Sequence, residues 1–414
     1  MANKIIVAHP GKQHVFQLVT ALKEQGTLYK FITMVYDKDN SITGRLKKFL
    51  KGNNQKKAAS RRLEVLDDND VILLGESKGL FLIFLNKMGV GKKLSSYFYD
   101  KVQSQFAMRV AKYAVAHEAD VLVMFDSNVH GAFDYVKKHS PYTKCVLDVT
   151  IASRPVMKDI YIKDMAVTGG TDLKEEQIYL WDDKRLNNFK REFITTDYML
   201  AGSEFVRKSI ESIIGPSDKI VKVPYGVNVD QFNVAQKDYL NGPLRLFFVG
   251  GVNRRKGVHH LLNIVSGYTK EQVVLSLAGG YDPSSDLYQN FKDKENITFE
   301  GFVTRDVVAG HYAKSHIFVL PSLAEGLALV GLEALASGLP VLCTENTGVN
   351  DLIVEGSNGF VVPTSDPAAF KENIDWFLSN RDKIQQMGTS ARASVANYSW
   401  QNYHSKINQF FKAL

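Results

Sequence analysis

Short apolar runs alternate with longer amphipathic stretches along almost the whole chain. Ile5–Ala8, Phe31–Val35, Val71–Leu74, Val121–Phe125, Lys144–Val149 and Tyr198–Gly202 are short and mostly apolar. Each is predicted to be a buried strand. Between them, Gln13–Gln25, Lys101–His117 and Gly131–Lys138 carry apolar residues at helical spacing. The rhythm restarts with strands at Leu246–Val249, Val273–Ala278, Ile297–Glu300, Ile317–Leu320, Val341–Cys343 and Gly359–Val362. Val258–Val265 and Leu329–Ser337 are predicted helices between them. Strand-helix alternation of this kind predicts an α/β protein, with parallel sheets covered by helices on both faces.

The chain has 414 residues, which suits two domains of roughly 150–200 residues each. The polar stretch Tyr225–Leu246, with Gly226, Gly242 and Pro243, precedes the fresh strand and marks the boundary. The first domain is expected over 1–230 and the second over 231–395. Two doubly wound domains in tandem face each other across a cleft at the carboxyl ends of their strands, where ligands bind.

Composition narrows the class. Hydrophobic residues make up 45% and charged residues 23%, which excludes a disordered chain. Ile5–Ala8 is too short for a secretion signal and Leu80–Leu85 too short to span a bilayer, so a cytoplasmic protein is expected. Cys145 and Cys343 are expected as free buried thiols, and no zinc-type Cys/His spacing occurs.

The net charge of +7 is unevenly spread. Arg45, Lys47, Lys48, Lys51, Lys56, Lys57, Arg61 and Arg62 fall in one run without an acid. Leu46, Phe49 and Leu50 lie among them at near-helical spacing. That favours an anionic membrane surface over nucleic acid as a partner; a solvated loop is the bland alternative.

Candidate chemistry lies where strands end. At Gly250-Gly251-Val252-Asn253-Arg254-Arg255-Lys256-Gly257 a strand meets paired glycines, three cations and a helix start. Glycine lets backbone amides approach an anion, and the helix end and Lys256 add positive charge. At Glu325-Gly326-Leu327-Ala328-Leu329, Glu325 precedes a helix and its carboxylate suits sugar hydroxyls. The amides of Gly326 to Leu329 are expected to be open to phosphate oxygens. Glu333, one turn into an apolar helix, needs a polar partner such as ribose hydroxyls. In the first half, Gly11 and His14 lie in the loop His9–His14 that joins the first strand to the first helix, and Asp126, His130 and Asp148 lie near the carboxyl ends of two later strands, as further candidates. Asp67-Asp68-Asn69-Asp70 sits at the amino end of a strand and reads as a solvated turn, not a metal site.

The order of these pieces resembles the C-terminal domain of the family 4 retaining glycosyltransferases with the GT-B fold. Glu325 and Glu333 stand as its paired glutamates, with seven residues between them. Ser203-Glu204, Pro224-Tyr225-Gly226-Val227-Asn228 and Gly356-Ser357-Asn358-Gly359-Phe360 match further. The likeness is strong over about 195–400 and weak before. It implies two Rossmann-like domains and a final helix, 396–414, crossing back to the first. It implies that Lys256, with Arg255 or Arg254, binds the donor diphosphate beside Gly250 and Gly251. Glu325 would contact the donor sugar and Glu333 the ribose. Phe302 and Val303 would hold the base, and Gly326 to Leu329 the β-phosphate and sugar. There are departures: Leu327 and Ala328 replace the family's Phe-Gly, Gly251 stands where an arginine is usual, and no histidine follows the strand ending at Thr150.

The function implied is retaining transfer of a sugar from a nucleoside diphosphate sugar to a glycan or lipid-linked acceptor, in cell-surface polysaccharide synthesis. No cofactor or catalytic metal is expected. A sugar-nucleotide epimerase, a phosphorylase on the same fold and a non-catalytic nucleotide-sugar-binding protein are the alternatives.

Overall fold

A computed structural model describes residues 3–87, 92–170, 178–232 and 234–414. Seven strands form the first sheet: β1 Ile5–Ala8, β2 Leu28–Thr33, β3 Val71–Leu73, β4 Val121–Phe125, β5 Lys144–Val149, β6 Tyr198–Ala201 and β7 Ile220–Lys222. Six form the second: β8 Leu244–Val249, β9 Val273–Ala278, β10 Ile297–Gly301, β11 Ile317–Leu320, β12 Val341–Thr344 and β13 Gly359–Val362. All strand pairings among the described residues are parallel. The expected α/β architecture of two doubly wound sheets is therefore present.

The strand orders are β3-β2-β1-β4-β5-β6-β7 and β10-β9-β8-β11-β12-β13. Each sheet reverses its winding once, between β1 and β4 and between β8 and β11. At such a switch point the two following loops splay apart and leave a crevice. Four loops are thereby selected: those after β1, β4, β8 and β11.

Most boundaries agree with the pattern, and the misses have local causes. Where Phe31–Val35 is expected, β2 runs over Leu28–Thr33, because its first residues are polar or half-buried at the sheet end. β7 is missed because three residues, only one of them buried, carry almost no periodicity. The helix expected from Lys101 begins at Lys92. The apolar run Leu80–Leu85 belongs to helix Glu76–Lys87, whose Phe81, Ile83 and Phe84 remain exposed. No helix among the described residues is long and apolar enough to cross a membrane. Cys145 and Cys343 are both free and buried.

Two of the seams between the halves position the site. The last helix, Trp400–Lys412, packs on helix Val15–Glu24 of the first sheet, and His404 Nε2 meets Gln17 Oε1 at 2.9 Å. Gly226 lies against Ser399 and Trp400 so closely that a Cβ would fall 2.3 Å from the Trp400 nitrogen. The second seam lies at the loop 321–328. Ser203 Oγ donates to Gly326 O at 2.6 Å, and Leu323 and Ala324 pack on Ala152, Met157 and Tyr161.

Candidate active site

The loop after β8 is shaped by glycine. Gly250 has φ +152° and Gly279, after β9, has φ +148°. A Cβ on Gly279 would lie 1.9 Å from Gly250 O, so the two strand ends touch backbone to backbone. Asn253 then caps a short turn by accepting from the Lys256 amide at 3.1 Å. Gly257, at φ +66°, lies against Pro321 O. That contact locks the turn to the loop after β11.

The two loops meet through charge. Lys256 Nζ is 2.5 Å from Glu325 Oε1, and Arg255 reaches the same oxygen at 3.1 Å. Arg255 also donates to Ala324 O at 3.0 Å. Burial works against the Glu325 charge, but Arg255 and Lys256 outweigh it and hold the carboxyl below its usual range. Burial lowers the Lys256 pKa, partly countered by Glu325. The result is a buried carboxylate under two cations at the mouth of the switch-point crevice. Such a group can bind hydroxyls through its open lone pairs while the cations face an anion.

Arg254 behaves otherwise. Its guanidinium pairs with Asp286, so the turn's three cations do not act as one set. Ala328 also departs from expectation. Its amide donates to Thr347 O at 3.1 Å and is not open to phosphate. Backbone closure of the loop onto the strand β12 exit claims that donor, and the Glu325 amide likewise donates to Asn346 O at 2.9 Å. Leu327 is buried against the first domain.

Helix Leu329–Ala336 is buried except on one stripe, where Leu329, Val330 and Glu333 are partly open. Burial raises the Glu333 pKa, countered by Arg305 and by Tyr312, whose hydroxyl lies 3.4 Å from Glu333 Oε2. At the exits of β8, β9 and β10, a cleft of about 550 Å³ is lined by Gly250, Gly251, Gly280, Asp282, Phe302 and Val303 among others. The Phe302 ring lies over Gly280 and is 93% exposed, leaving one aromatic face open. Gly280 and Asp282 are members of this cleft that the strand pattern alone did not single out.

Across the seam, His14 Nε2 meets Asp148 Oδ2 at 3.0 Å, with the His14 ring 4.3 Å from that of Tyr225. The structure thus joins two residues 134 apart in sequence. Gly11 lies nearby, but its amide donates to His9 Nδ1 at 3.0 Å. Burial brings the His9 pKa down to about 4, so the ring is neutral and can accept. Asp126 accepts from the Thr150 amide and hydroxyl at 2.7 and 2.6 Å and pairs with Arg154 at 3.3 Å. It ties the ends of β4 and β5 together. His130 does not join this group. It lines cavities with Asn188 and Glu192, in a turn where both His130 and Gly131 have positive φ. Gly326 closes the gap between halves: a Cβ there would lie 1.9 Å from Thr150 O.

The acidic turn Asp68–Asp70 precedes β3 as expected, though Asp70 is paired with Lys23 at 2.6 Å. The basic run is two short helices, Ile42–Lys47 and Gly52–Ala59. It is not uniformly unpaired: Lys47 pairs with Asp37, and Arg62 with Asp39 and Asp68.

Residues 230–394, which carry the β8 turn and both glutamates, match the family model described as glycosyl transferases group 1. Over those residues the chain is similar to the group 1 glycosyltransferases. A D-inositol 3-phosphate glycosyltransferase of Corynebacterium urealyticum is 29% identical over 40% of the chain and 42% of its own length. The capsular polysaccharide biosynthesis glycosyltransferase CapM of Staphylococcus aureus is 28% identical over 53% of the chain and 63% of its own. The chain thus spans about half the length of these relatives. Among solved structures, sucrose-phosphate synthase of Thermosynechococcus elongatus aligns at TM-score 0.67, covering 99% of the chain and 98% of the other at 18% identity. HepE of Anabaena, in complex with UDP, aligns at 0.63, covering 99% of the chain and 100% of the other at 14% identity. These likenesses establish the two-domain GT-B fold.

Proposed function

We propose that this chain is a glycosyltransferase that moves a sugar from a nucleoside diphosphate sugar to a hydroxyl of a glycan or lipid-linked acceptor, with retention of anomeric configuration. One observation carries the reading: Lys256 and Arg255 converge on buried Glu325 at the carboxyl end of the second sheet, facing the first domain. Breaking a glycosyl-diphosphate bond leaves negative charge on the departing oxygen. Preorganised cations lower that barrier without reorganising at the moment of reaction. Lys256 and Arg255 bind the departing diphosphate, and no catalytic metal is required. Glu325 keeps both cations positioned and accepts from donor-sugar hydroxyls. Glu333 takes the ribose hydroxyls, and the open face of Phe302 the base. The closed seam at Gly326 keeps water from the reacting carbon.

The matched relatives' names support a role in surface polysaccharide or glycolipid synthesis. The exposed Phe49, Phe81 and Phe84 beside the basic helices support contact with an anionic membrane, where a lipid-linked acceptor resides.

The test uses a panel of nucleotide sugars in thermal-shift assays to choose the donor, followed by a transfer assay with Glu325→Gln. Transfer should be lost while circular dichroism stays native. Normal turnover in that variant would sink the assignment, and an inverted product anomer would sink retention.

A further inference from the structure

A second cluster of ionisable groups joins the domains, apart from the Lys256–Glu325 pocket. Asp164 lies in helix Arg154–Thr168 of the first half, and His259 and His260 in helix Val258–Val265 of the second. All three are buried. His259 Nε2 is 3.0 Å from Asp164 Oδ2, and His260 Nε2 is 2.6 Å from Oδ1. The three ligating atoms lie within 4.8 Å of one another. Ser365 Oγ donates to Asp164 Oδ1 at 2.6 Å.

Two imidazoles and a carboxylate form a donor set suited to borderline divalent metals. Binding requires an ionised carboxylate and neutral rings. Burial opposes the Asp164 charge, but hydrogen bonds from His259 and His260 outweigh it and hold the carboxyl well below its usual range. Burial also lowers the His259 pKa. Among the described residues, the ion-pair partners of Asp164 are these two histidines alone. The carboxylate and both rings are buried with their ligand atoms converging on one point, an arrangement that a divalent cation offsets. His259 Nδ1 is buried without a hydrogen-bond partner, so no contact there fixes the ring's tautomer.

We propose that Asp164, His259 and His260 bind one divalent transition-metal ion of the zinc class, tying the two domains together. The ion replaces the two hydrogen bonds to Asp164 and takes Nε2 of each ring, leaving Nδ1 to carry the ring proton. Ser365 steadies the carboxylate from behind. The ion is structural: it fixes the start of the helix that follows the Lys256 turn and does not touch the donor.

The test is metal uptake by the full chain after chelator treatment and dialysis, with zinc chloride and cobalt chloride as probes. One equivalent of zinc should bind per chain and raise the melting temperature. Cobalt should give the intense visible absorption of a low-coordinate site. Asp164→Asn and His260→Gln should weaken binding by roughly 100-fold or more, and Ser365→Ala by roughly tenfold. Ser365→Ala removes only a supporting hydroxyl, so it reports even where the other variants fold poorly. No uptake by the wild-type chain overturns the site. So does uptake that all three variants leave unchanged. A melting temperature that falls in the variants but does not respond to metal in the wild type also overturns it, leaving a hydrogen-bonded network. Each readout is independent of sugar transfer, so failure here leaves the proposed reaction standing.

Discussion

Two segments lie at opposite extremes of burial. From Ile317 to Val349 nearly every residue is buried, and the chief openings are Leu329, Val330, Glu333 and Glu345. From Ile42 to Arg62 the chain is mostly exposed, and Phe49 is 83% open. In the first segment a side chain is judged by its neighbours: one methyl at Gly326 meets backbone on the other domain. In the second, a side chain meets mostly water. Burial thus separates residues whose chemistry depends on fixed partners from residues whose role depends on what arrives from outside.

The comparison can be broken most severely at Lys256. Lys256→Ala removes a buried cation and leaves Glu325 with Arg255; kcat should fall by ~10²–10³ in a transfer assay with saturating donor. A change confined to KM would move Lys256 from the reaction to ground-state binding. Next in size is Gly326→Ala. The forced contact with Thr150 should cost roughly 3 kcal/mol by denaturant unfolding. A loss within error would mean the seam opens freely.

A third probe uses burial alone. Glu192 is buried and accepts from the Ser127 amide at 3.2 Å. Burial, with Asp126 adding to it, pushes its pKa from 4.5 up to about 8. The folded chain therefore holds this proton more tightly than the unfolded chain. Its contribution to stability is full below about pH 4.5 and is lost as pH rises through about 8. Glu192→Gln should flatten melting temperature against pH across that window; an unchanged slope would place the ionisation elsewhere. The smallest effect belongs to the exposed helices. Neutralising Lys48, Lys51, Lys56 and Lys57 should change stability by less than about 0.5 kcal/mol, yet abolish co-sedimentation with anionic vesicles. Unaltered sedimentation would remove the basic run from membrane contact.

The same contrast explains what could be read from the sequence. β11 and β12 stand out because burial on all sides demands apolar residues. Lys256 and Glu325 are legible because each is a charge beside a buried strand end. β7 is not, because an edge strand with one buried residue leaves no pattern. The pairing of His14 with Asp148 is invisible in sequence, since only the sheet's strand order brings β1 and β5 exits together. Arg254 misleads for a related reason: its neighbours in sequence face Glu325, while Asp286, which claims it, lies 32 residues on. Asp164, His259 and His260 show no ligand spacing, because the carboxylate and the rings come from different domains.

The chain passes between its two sheets twice, once after β7 and once before Trp400. These crossings run side by side, with the Val227 amide donating to Tyr398 O at 2.7 Å and Gly226 pressed on Ser399. Two adjacent tethers act as a two-knuckle door hinge. Any parting of the halves would be held to a swing about them, since two crossings side by side resist twisting. Opening that admits a donor would return Glu325 and Thr150 to the same register each time the door shuts.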